Sequence, residues 1–324
     1  MSSFLDEFRD DIHAWTEGLW DEETGGFRMS AKVGVNVMTT TDVAWMRYAV
    51  NDPNILGSHR EPWVRYLQKR QDSHTGLVRH DPGPAGQGHS DGHALWQTVR
   101  ALSILGGTLP IFPRHLRPLV NPGVLRAWFD KVDWDGPDSN HHEVLGLAPL
   151  LAGLDDPKWA KAFYEKLVEQ QNPETGCWPR PKVGISRTFA YTCLHRAAGL
   201  MPPHAEKIVD TMLSLQQPNG FWQEEPSFLT MDAAYLLVRL PGALEYRWEE
   251  AHKALRRLAP ALAGHVHQHR ERIAENPHRM QAICHTFSLL HEAFPKEYPS
   301  ARPYRFDWDD ASMYYCPVIA EDRP

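Results

Sequence analysis

A pattern of alternating helix types repeats along almost the whole chain, and this repetition constrains the fold more than any other feature. In each repeat, an amphipathic segment with a charged face is followed by a glycine-containing turn and then by a more apolar segment with polar residues at its start. Equivalent starts of the apolar segments lie at Asp42, Asp91, His141, Arg187, Asp232 and Arg279. Because successive starts are 45 to 50 residues apart, six helix pairs account for nearly all of the 324 residues.

Residues that favour helix N-caps precede each apolar segment, and they predict where the apolar helices begin. These residues are Thr41, Ser90, Asn140, Ser186, Thr230 and Asn276. The pattern predicts an all-α fold, an (α/α)6 toroid in which six inner helices are surrounded by six outer helices. We expect residues 1–300 to form this single domain and residues 301–324 to form a C-terminal tail that packs on it.

An open HEAT-like solenoid has a similar repeat length and is the alternative architecture. Two observations favour a closed ring. The loops between the two helices of a pair are long and rich in Gly and Pro, as at residues 79–88, and no repeat at either end has the polar outer face of a capping repeat.

Composition excludes several classes of function. The net charge of −7 supplies no basic field for nucleic acid, and no apolar run is long enough to span a membrane. The N-terminal segment is acidic, unlike a signal peptide, and the four cysteines are far apart, without a CxxC pair. We therefore expect a cytoplasmic protein with reduced thiols and without a nucleic-acid or membrane partner. The sequence leaves the oligomeric state open.

The turns after the outer helices carry a repeated Gln, a short gap, Gly, any residue and Trp. The segments concerned are Gln171…Gly176-Cys177-Trp178, Gln217…Gly220-Phe221-Trp222 and, without the Trp, Gln71…Gly76-Leu77-Val78. They resemble the turns of terpenoid cyclase and protein prenyltransferase toroids. The resemblance implies the toroid fold and not an activity, because glycosidases, lyases and sugar epimerases are built on similar toroids.

The N-termini of the inner helices converge on one end of a toroid, where their free N–H groups and dipoles favour polar or anionic ligands. As catalytic candidates this predicts Asp42, Asp91, His141, Tyr191 and Asp232. As substrate-binding candidates it predicts His89, His93, Asn140, His142, Arg187, Tyr235, His278 and Arg279, with Trp45 and Trp96 about one turn deeper. Ordinary capping is the alternative for single members, as in the Asn140-x-x-Glu143 capping box. As a set, these side chains favour a sugar or an anionic substrate.

No metal or cofactor is predicted. His89 and His93 are four residues apart, but a cap at Ser90 would leave His89 outside the helix, and no third ligand has a recognisable spacing. Cys284-His285 is similar to part of the zinc site of lanthionine cyclase toroids. It lies inside a helix, however, and the other cysteine motif of those enzymes is missing, so a buried structural cysteine is expected.

The leading functional hypothesis is a lyase that cleaves uronate-containing poly- or oligosaccharides by β-elimination. Asn140-His141, followed one repeat later by Arg187 and Tyr191, is similar to the arrangement in alginate lyases and related enzymes. The resemblance implies that Asn140 and Arg187 neutralise the uronate carboxylate while His141 and Tyr191 exchange protons with the substrate.

Three alternatives remain open. A glycoside hydrolase would use Asp42, Asp91, Glu143 or Asp232 as acid and base, as unsaturated glucuronyl hydrolases use aspartates on such a toroid. Terpenoid acid catalysis is suggested by residues 307–310 (DWDD), which resemble the DxDD motif of class II terpene cyclases, although an acidic tail packed through Trp308, Tyr314 and Tyr315 explains them as well. The third alternative is a non-catalytic helical-repeat scaffold.

Overall fold

A computed structural model describes residues 3–30, 32–81, 90–134, 140–179, 184–314 and 318, except for the side chains of residues 140, 141 and 152. Within these ranges the outer helices are α1 (Phe4–Glu17), α3 (Arg60–Lys69), α5 (Pro122–Phe129), α8 (Pro157–Glu169), α10 (Ala205–Leu215) and α12 (Trp248–Gln268). The inner helices are α2 (Val37–Ala49), α4 (Asp91–Leu105), α6 (Asn140–Leu145) with α7 (Ala148–Gly153), α9 (Ile185–Ala197), α11 (Phe228–Leu244) and α14 (Pro277–Ala293). A short helix, α13 (Arg270–Ala274), joins α12 to α14, and a 3-10 helix (Arg114–Val120) precedes α5.

The predicted toroid is confirmed, and the ring is closed. Outer and inner helices alternate along the chain, and consecutive inner helices pack side by side from α2 to α4 to α6 and from α9 to α11 to α14. The last inner helix, α14, packs against the first, α2, which an open solenoid would not allow. The inner helices are buried on most sides, as their apolar sequences predicted.

Extended structure is minor, as expected. Within the described residues the two strands β1 (Trp20–Asp21) and β2 (Gly26–Phe27) form an antiparallel hairpin, and Arg28 pairs with Val35 in an isolated bridge just before α2. In the same part of the chain, no helix is both long and apolar enough to cross a membrane.

Three inner helices begin where the sequence predicted, among them α6 at Asn140, and three begin earlier. Ser90 caps α4 and Asn276 caps α14, each accepting a hydrogen bond from a backbone N–H of the first turn. In contrast, α2 begins at Val37 with Asn36 as its cap, five residues before Asp42. The caps predicted at Ser186 and Thr230 are also wrong, because α9 begins at Ile185 and α11 at Phe228.

The error at α2 arises from threonines that lie inside the helix rather than at its cap. The hydroxyl of Thr40 donates to the carbonyl of Asn36 at 2.7 Å, and that of Thr41 donates to the carbonyl of Met38 at 2.9 Å. A threonine that bonds back to the preceding turn is compatible with the helix interior. The consequence for the site is that Asp42 lies on the second turn, where it is completely buried.

The repeated glutamines join each repeat to the next. Gln71 donates through its amide nitrogen to the carbonyl of Gly76, at 2.9 Å, and to that of Ile111, at 2.8 Å. Gln171 makes the equivalent pair of bonds at 2.8 and 2.5 Å to residues 176 and 203. In the fifth repeat Gln216 makes the bonds, not the predicted Gln217, because the turn is one residue shorter. The motif is therefore a structural device of the fold.

The third inner helix is broken into α6 and α7 and lies unusually close to α4. A Cβ atom added to Gly92 would be 2.5 Å from the carbonyl oxygen of His142, and one added to Gly146 would be 3.0 Å from the Cα of Gly92. Since only glycine allows this approach, the pair brings the start of α6 against the start of α4. This contact places His142 beside His93.

The C-terminal segment, residues 304–314, crosses the C-terminal ends of the inner helices and ends in a short 3-10 helix (Ala311–Tyr314). Trp308 and Tyr314 are buried there, as the sequence predicted for a packed tail, and Tyr315 lies outside the described residues. This segment occupies the end of the toroid opposite to the inner-helix N-termini.

Candidate functional site

A carboxyl–imidazole pair joins the first and last inner helices. On α14, His278 is in the first turn, and its Nδ1 is 3.0 Å from Oδ2 of Asp42 on the second turn of α2. The Asp42 side chain is fully buried, whereas that of His278 is 23% exposed. The second carboxyl oxygen of Asp42 has no hydrogen-bond partner within the described residues. His278 is therefore the member of the pair that a ligand at the mouth can reach.

A second carboxyl group, that of Asp232, lies on α11, the neighbour of α14 on the other side. Its side chain accepts a hydrogen bond of 2.6 Å from the hydroxyl of Ser186, in the first turn of α9. Asp232 is 2% exposed, and burial raises its pKa to about 8, although the bond from Ser186 acts in the opposite direction. At neutral pH this carboxyl group therefore carries a proton, which is the state that a general acid requires.

Three histidines lie against one another at the starts of α4 and α6. Nε2 of His80, which follows the turn after α3, is 2.9 Å from Nδ1 of His93 on α4. The ring of His93 is 4.5 Å from that of His142 on α6. Burial lowers the pKa of His80 to about 4, so its imidazole is neutral at physiological pH.

These groups belong to one mouth, formed by the N-terminal ends of the inner helices. Asp81, next to His80 in the chain, accepts a hydrogen bond of 2.7 Å from the backbone N–H of Val37, which places the histidine cluster beside the start of α2, the helix that carries Asp42. Phe228, the first residue of α11, lies 4.4 Å from the His278 ring and so joins the pair to the helix that carries Asp232. The described side chains thus converge from α2, α4, α6, α9, α11 and α14, as the sequence predicted for this end.

The rim of the mouth is more exposed and carries ion pairs. Asp91, at the start of α4, is 3.7 Å from Arg79, and its side chain is 46% exposed. Arg279, next to His278, bonds Glu225 at 2.5 Å. Salt bridges at such exposed positions are weak, so these two predicted residues are available for ligands at the rim.

Arg187 and Tyr191 are four residues apart on α9, and both make contacts with Trp134. Arg187 is 3% exposed and donates to the backbone carbonyl of Trp134 at 2.7 Å. Tyr191 is fully buried between the rings of Trp134 and Trp178, at 6.3 and 5.8 Å. Burial raises the pKa of the Tyr191 hydroxyl. This surrounding weighs against the predicted proton transfer by Tyr191, since its hydroxyl reaches neither solvent nor a ligand.

Three aromatic residues predicted to bind substrate instead lie in the interior. Trp45 and Trp96 are 0% and 5% exposed and pack against Trp308 of the C-terminal segment. Tyr235 is fully buried, and its hydroxyl is 3.3 Å from Asp309 of the same segment. The reason is helical rise: each lies three residues beyond a mouth residue, which carries it about 4.5 Å deeper along its helix. This packing weighs against the substrate contacts predicted for the three residues, which stay predictions.

His89 lies outside the described residues, as do the side chains of Asn140 and His141, so their predicted roles stay predictions. In the described part of the chain, no three His, Cys, Asp or Glu side chains form a group able to hold a metal ion. Cys284 is buried on α14, in agreement with the structural role expected for it.

Sequence reasoning missed His80, Ser186 as a ligand of Asp232, and Phe228. The position of His80 could have been inferred from the repeated turn. His80 comes two residues after Val78, which pairs with Gln71 in that turn, and from there the chain runs towards the mouth. Ser186 and Phe228 were misplaced by the errors in the starts of α9 and α11.

Comparison with known proteins supports the fold. No protein-family model and no curated protein sequence matches this chain. Among solved structures, the chain is similar to the GH76A α-1,6-mannanase from Salegentibacter sp. HEL1_6, with a TM-score of 0.50 and 13% sequence identity. The match covers 89% of this chain and 98% of the mannanase chain. At this identity the likeness shows a shared (α/α)6 toroid fold, and activity has to be argued from the mouth itself.

Proposed function

We propose that this protein is a glycoside hydrolase that binds an oligo- or polysaccharide at the mouth of the toroid. The observation that carries the proposal is Asp232, a buried carboxyl group whose pKa is raised to about 8. A second carboxyl group, that of Asp42, lies on the opposite side of α14 and is bonded to His278. Hydrolysis of a glycosidic bond requires an acid and a base in such different surroundings.

Asp232 has the role of general acid. It gives its proton to the glycosidic oxygen as the bond from that oxygen to the anomeric carbon breaks, so the departing sugar leaves as a neutral alcohol. Ser186, bonded to Asp232 at 2.6 Å, fixes the orientation of the carboxyl group and stabilises the carboxylate that remains.

His278 and Asp42 have the role of the base. As His278 is the exposed member of the pair, it takes the proton of the water whose oxygen attacks the anomeric carbon. Asp42 accepts from Nδ1 of His278, holding the ring in place and stabilising the imidazolium that forms. Asp232 regains its proton from solvent after the products leave.

Hydrolysis is better supported than the β-elimination expected from the sequence. Elimination needs a group that neutralises the uronate and a proton donor at the leaving oxygen. The side chains proposed for these roles make other contacts: Arg187 donates to the backbone carbonyl of Trp134, and the Tyr191 ring packs against Trp134 and Trp178. Terpenoid acid catalysis by the tail is not supported either, because Asp309 pairs with Arg196 at 2.9 Å and Arg239 at 3.1 Å.

The test is a substrate panel with two readouts, release of reducing ends and absorbance of unsaturated uronate. The panel begins with α-1,6-mannan, since the structurally similar enzyme is an α-1,6-mannanase, and extends to other α- and β-glycans and to uronate glycans. We expect reducing ends without unsaturated product, and loss of this activity in Asp232→Asn but not in Asp155→Asn, a matched change at an exposed loop position. Unsaturated product, or full activity in Asp232→Asn, would contradict the proposal.

A further inference from the structure

The C-terminal segment 304–314 spans the end of the toroid opposite to the mouth. The backbone N–H of Arg305 donates to the carbonyl of Ala49 on α2 at 2.8 Å, and Ser103 on α4 donates to the carbonyl of Ser312 at 3.1 Å. Asp309 receives bonds from Arg196 on α9 and Arg239 on α11. The segment is therefore fastened to four inner helices by polar contacts.

Trp308 is the part of this segment that enters the toroid. Its ring lies 5.0 Å from Trp45, 5.5 Å from Trp96, 5.3 Å from Phe189 and 5.2 Å from His285. These four residues belong to α2, α4, α9 and α14, and a ring that contacts helices on all sides lies at the toroid axis. The indole N–H points to Nε2 of His285 at 3.3 Å.

The guanidinium of Arg100 lies beside Trp308 and is surrounded by aromatic rings. The group is fully buried, and within the described residues none of its nitrogens has a hydrogen-bond partner. It lies instead over four aromatic rings: Trp45 at 3.9 Å, Trp308 at 4.1 Å, Trp96 at 4.7 Å and Tyr314 at 5.2 Å.

Such an arrangement is stable only while water is absent, because cation–π attraction is strongest for a desolvated cation. The C-terminal segment supplies two of the four rings, those of Trp308 and Tyr314. Without the segment, Arg100 would lose these rings and hydrate, and water would enter the axis at this level.

We propose that segment 304–314 is a plug that closes the far end of the toroid and excludes water from the interior beneath the mouth. Two contacts link the plug to the mouth. Phe189, which touches Trp308, lies three residues after Ser186, and Tyr235, whose ring is 5.4 Å from Phe306, lies three residues after Asp232. The plug is thus packed directly below the bonded pair Ser186–Asp232.

The chain contains its own reporter for this plug. Cys193 on α9 is 1% exposed, and it lies between Phe189, which touches Trp308, and Arg196, which is bonded to Asp309, on the part of α9 that the plug covers. Cys177, also buried, belongs to the turn after α8 and serves as an internal control. The experiment measures the modification rate of each thiol by a soluble thiol reagent, with peptide mass mapping, in a Cys316→Ser background that removes the cysteine of the tail.

In Trp308→Ala we expect Cys193 to react at least about tenfold faster, because local opening sets the rate at which a buried group meets solvent, while the rate at Cys177 stays unchanged. Trp248→Ala, a matched change at a ring that is 52% exposed, leaves both rates unchanged. A rate at Cys193 equal to that in Trp248→Ala overturns the plug. So does an equal rise at both thiols, since the tail would then contribute only to global stability.

Asp309→Asn decides the question if Trp308→Ala does not fold. The substitution weakens the bonds to Arg196 and Arg239 and keeps the Trp308 ring. A smaller but still selective rise in the modification rate of Cys193 is therefore expected, and the absence of a selective rise overturns the plug.

A further readout, the pH dependence of kcat/KM, rests on the proposed function. Loss of the plug should hydrate the surroundings of Asp232 and move the alkaline limb to lower pH, whereas an unchanged limb would separate the plug from the site. A wild-type protein that cleaves no glycan contradicts the hydrolase proposal and leaves the thiol experiment decisive for the plug.

Discussion

The two ends of this toroid are built from the same six inner helices, yet they treat buried polar groups in opposite ways. At the far end, Asp309 is bonded to Arg196 and Arg239, and the cation of Arg100 is enclosed by aromatic rings. At the mouth, Asp232 is buried and bonded to the hydroxyl of Ser186, and burial raises its pKa to about 8. The far end holds its charged groups in ion pairs or against aromatic rings, whereas the mouth keeps a carboxyl group protonated.

The difference is informative because an unpaired buried acid destabilises the folded state above its usual pKa. The raised pKa of Asp232 means that its contribution to stability is complete below pH 4 and is lost as the pH rises to about 8. Perturbed groups of this kind are concentrated at functional sites. The comparison therefore supports the mouth, rather than the far end, as the proposed site of chemistry.

The largest effect is expected for Asp232→Asn. The variant keeps the shape of the side chain and cannot supply a proton, so kcat/KM on the glycan substrate should fall by about 10³ or more. The same change removes the cost of ionising a buried acid, so the free energy of unfolding near pH 8 should rise by a few kcal/mol. Denaturant unfolding at pH 5 and pH 8 measures the second effect, and a variant that is equally destabilised at both pH values would contradict the assigned environment.

The second largest effect on kcat/KM is expected when the proposed base, His278, is replaced. His278→Asn should lower kcat/KM by about 10² or more, because the group that takes the proton from water is removed. Arg279→Gln, one residue further on the rim, is the matched control and should change kcat/KM only a few-fold. Equal effects of the two substitutions would show that His278 acts by shape or general polarity and not as a base.

At the far end, we expect Trp308→Ala to lower stability substantially without removing a group that takes part in the reaction. Trp308→Ala removes a ring that contacts four inner helices, and the free energy of unfolding should fall by about 3 to 5 kcal/mol. Thermal or denaturant unfolding measures it. A change below about 1 kcal/mol would mean that the axis is not packed around Trp308.

A smaller effect is expected for the repeated glutamines. Gln71→Ala removes two bonds to backbone carbonyls and leaves those carbonyls buried, which costs about 1 to 3 kcal/mol of stability. Activity per folded molecule should be unchanged, because the turn lies outside the mouth. If kcat falls while the fold is intact, the turn has a role in the site that the structure does not reveal.

The smallest effect is expected for Tyr191→Phe. The hydroxyl is buried and has no hydrogen-bond partner within the described residues, so its removal should change stability by less than about 1 kcal/mol and kcat/KM by less than about twofold. The β-elimination hypothesis requires instead a loss of about 10² in turnover. This substitution therefore separates the two enzymatic mechanisms.

The sequence predicted the fold well because the signal is repeated six times. Helix pairing and the number of pairs follow from the spacing and from the apolar inner segments, and single errors in a cap do not change them. The closed ring was predicted from the long Gly- and Pro-rich loops and from the lack of a polar capping repeat. The starts at Ser90 and Asn276 were correct because the side chains of these residues bond forward, to a backbone N–H of the first helical turn. Thr40 and Thr41 misled the prediction because a threonine hydroxyl also bonds to carbonyls inside a helix.

The candidate site was predicted less completely. The convergence of Asp42, His93, Asp232 and His278 was predicted from their common position near helix starts. The structure joins Asp42 to His278 at 3.0 Å and places Phe228, on the helix of Asp232, beside the His278 ring. Which side chains face the mouth depends on the rotation and depth of each helix. Trp45, Trp96 and Tyr235 each lie only three residues after a mouth residue, yet they pack in the interior. The plug that covers them belongs to a part of the chain without the repeat, so the repeat could not predict it.

The most direct test of the account is the ionisation of Asp232 itself. The carboxyl carbons of aspartate can be labelled with ¹³C and titrated by NMR, with Asp232→Asn used to assign the resonance. The account predicts a resonance that titrates with a pKa of about 8 and is absent from the variant. A resonance of Asp232 that titrates near the usual aspartate value of about 4 would contradict it, because the mouth would then hold no protonated acid at neutral pH.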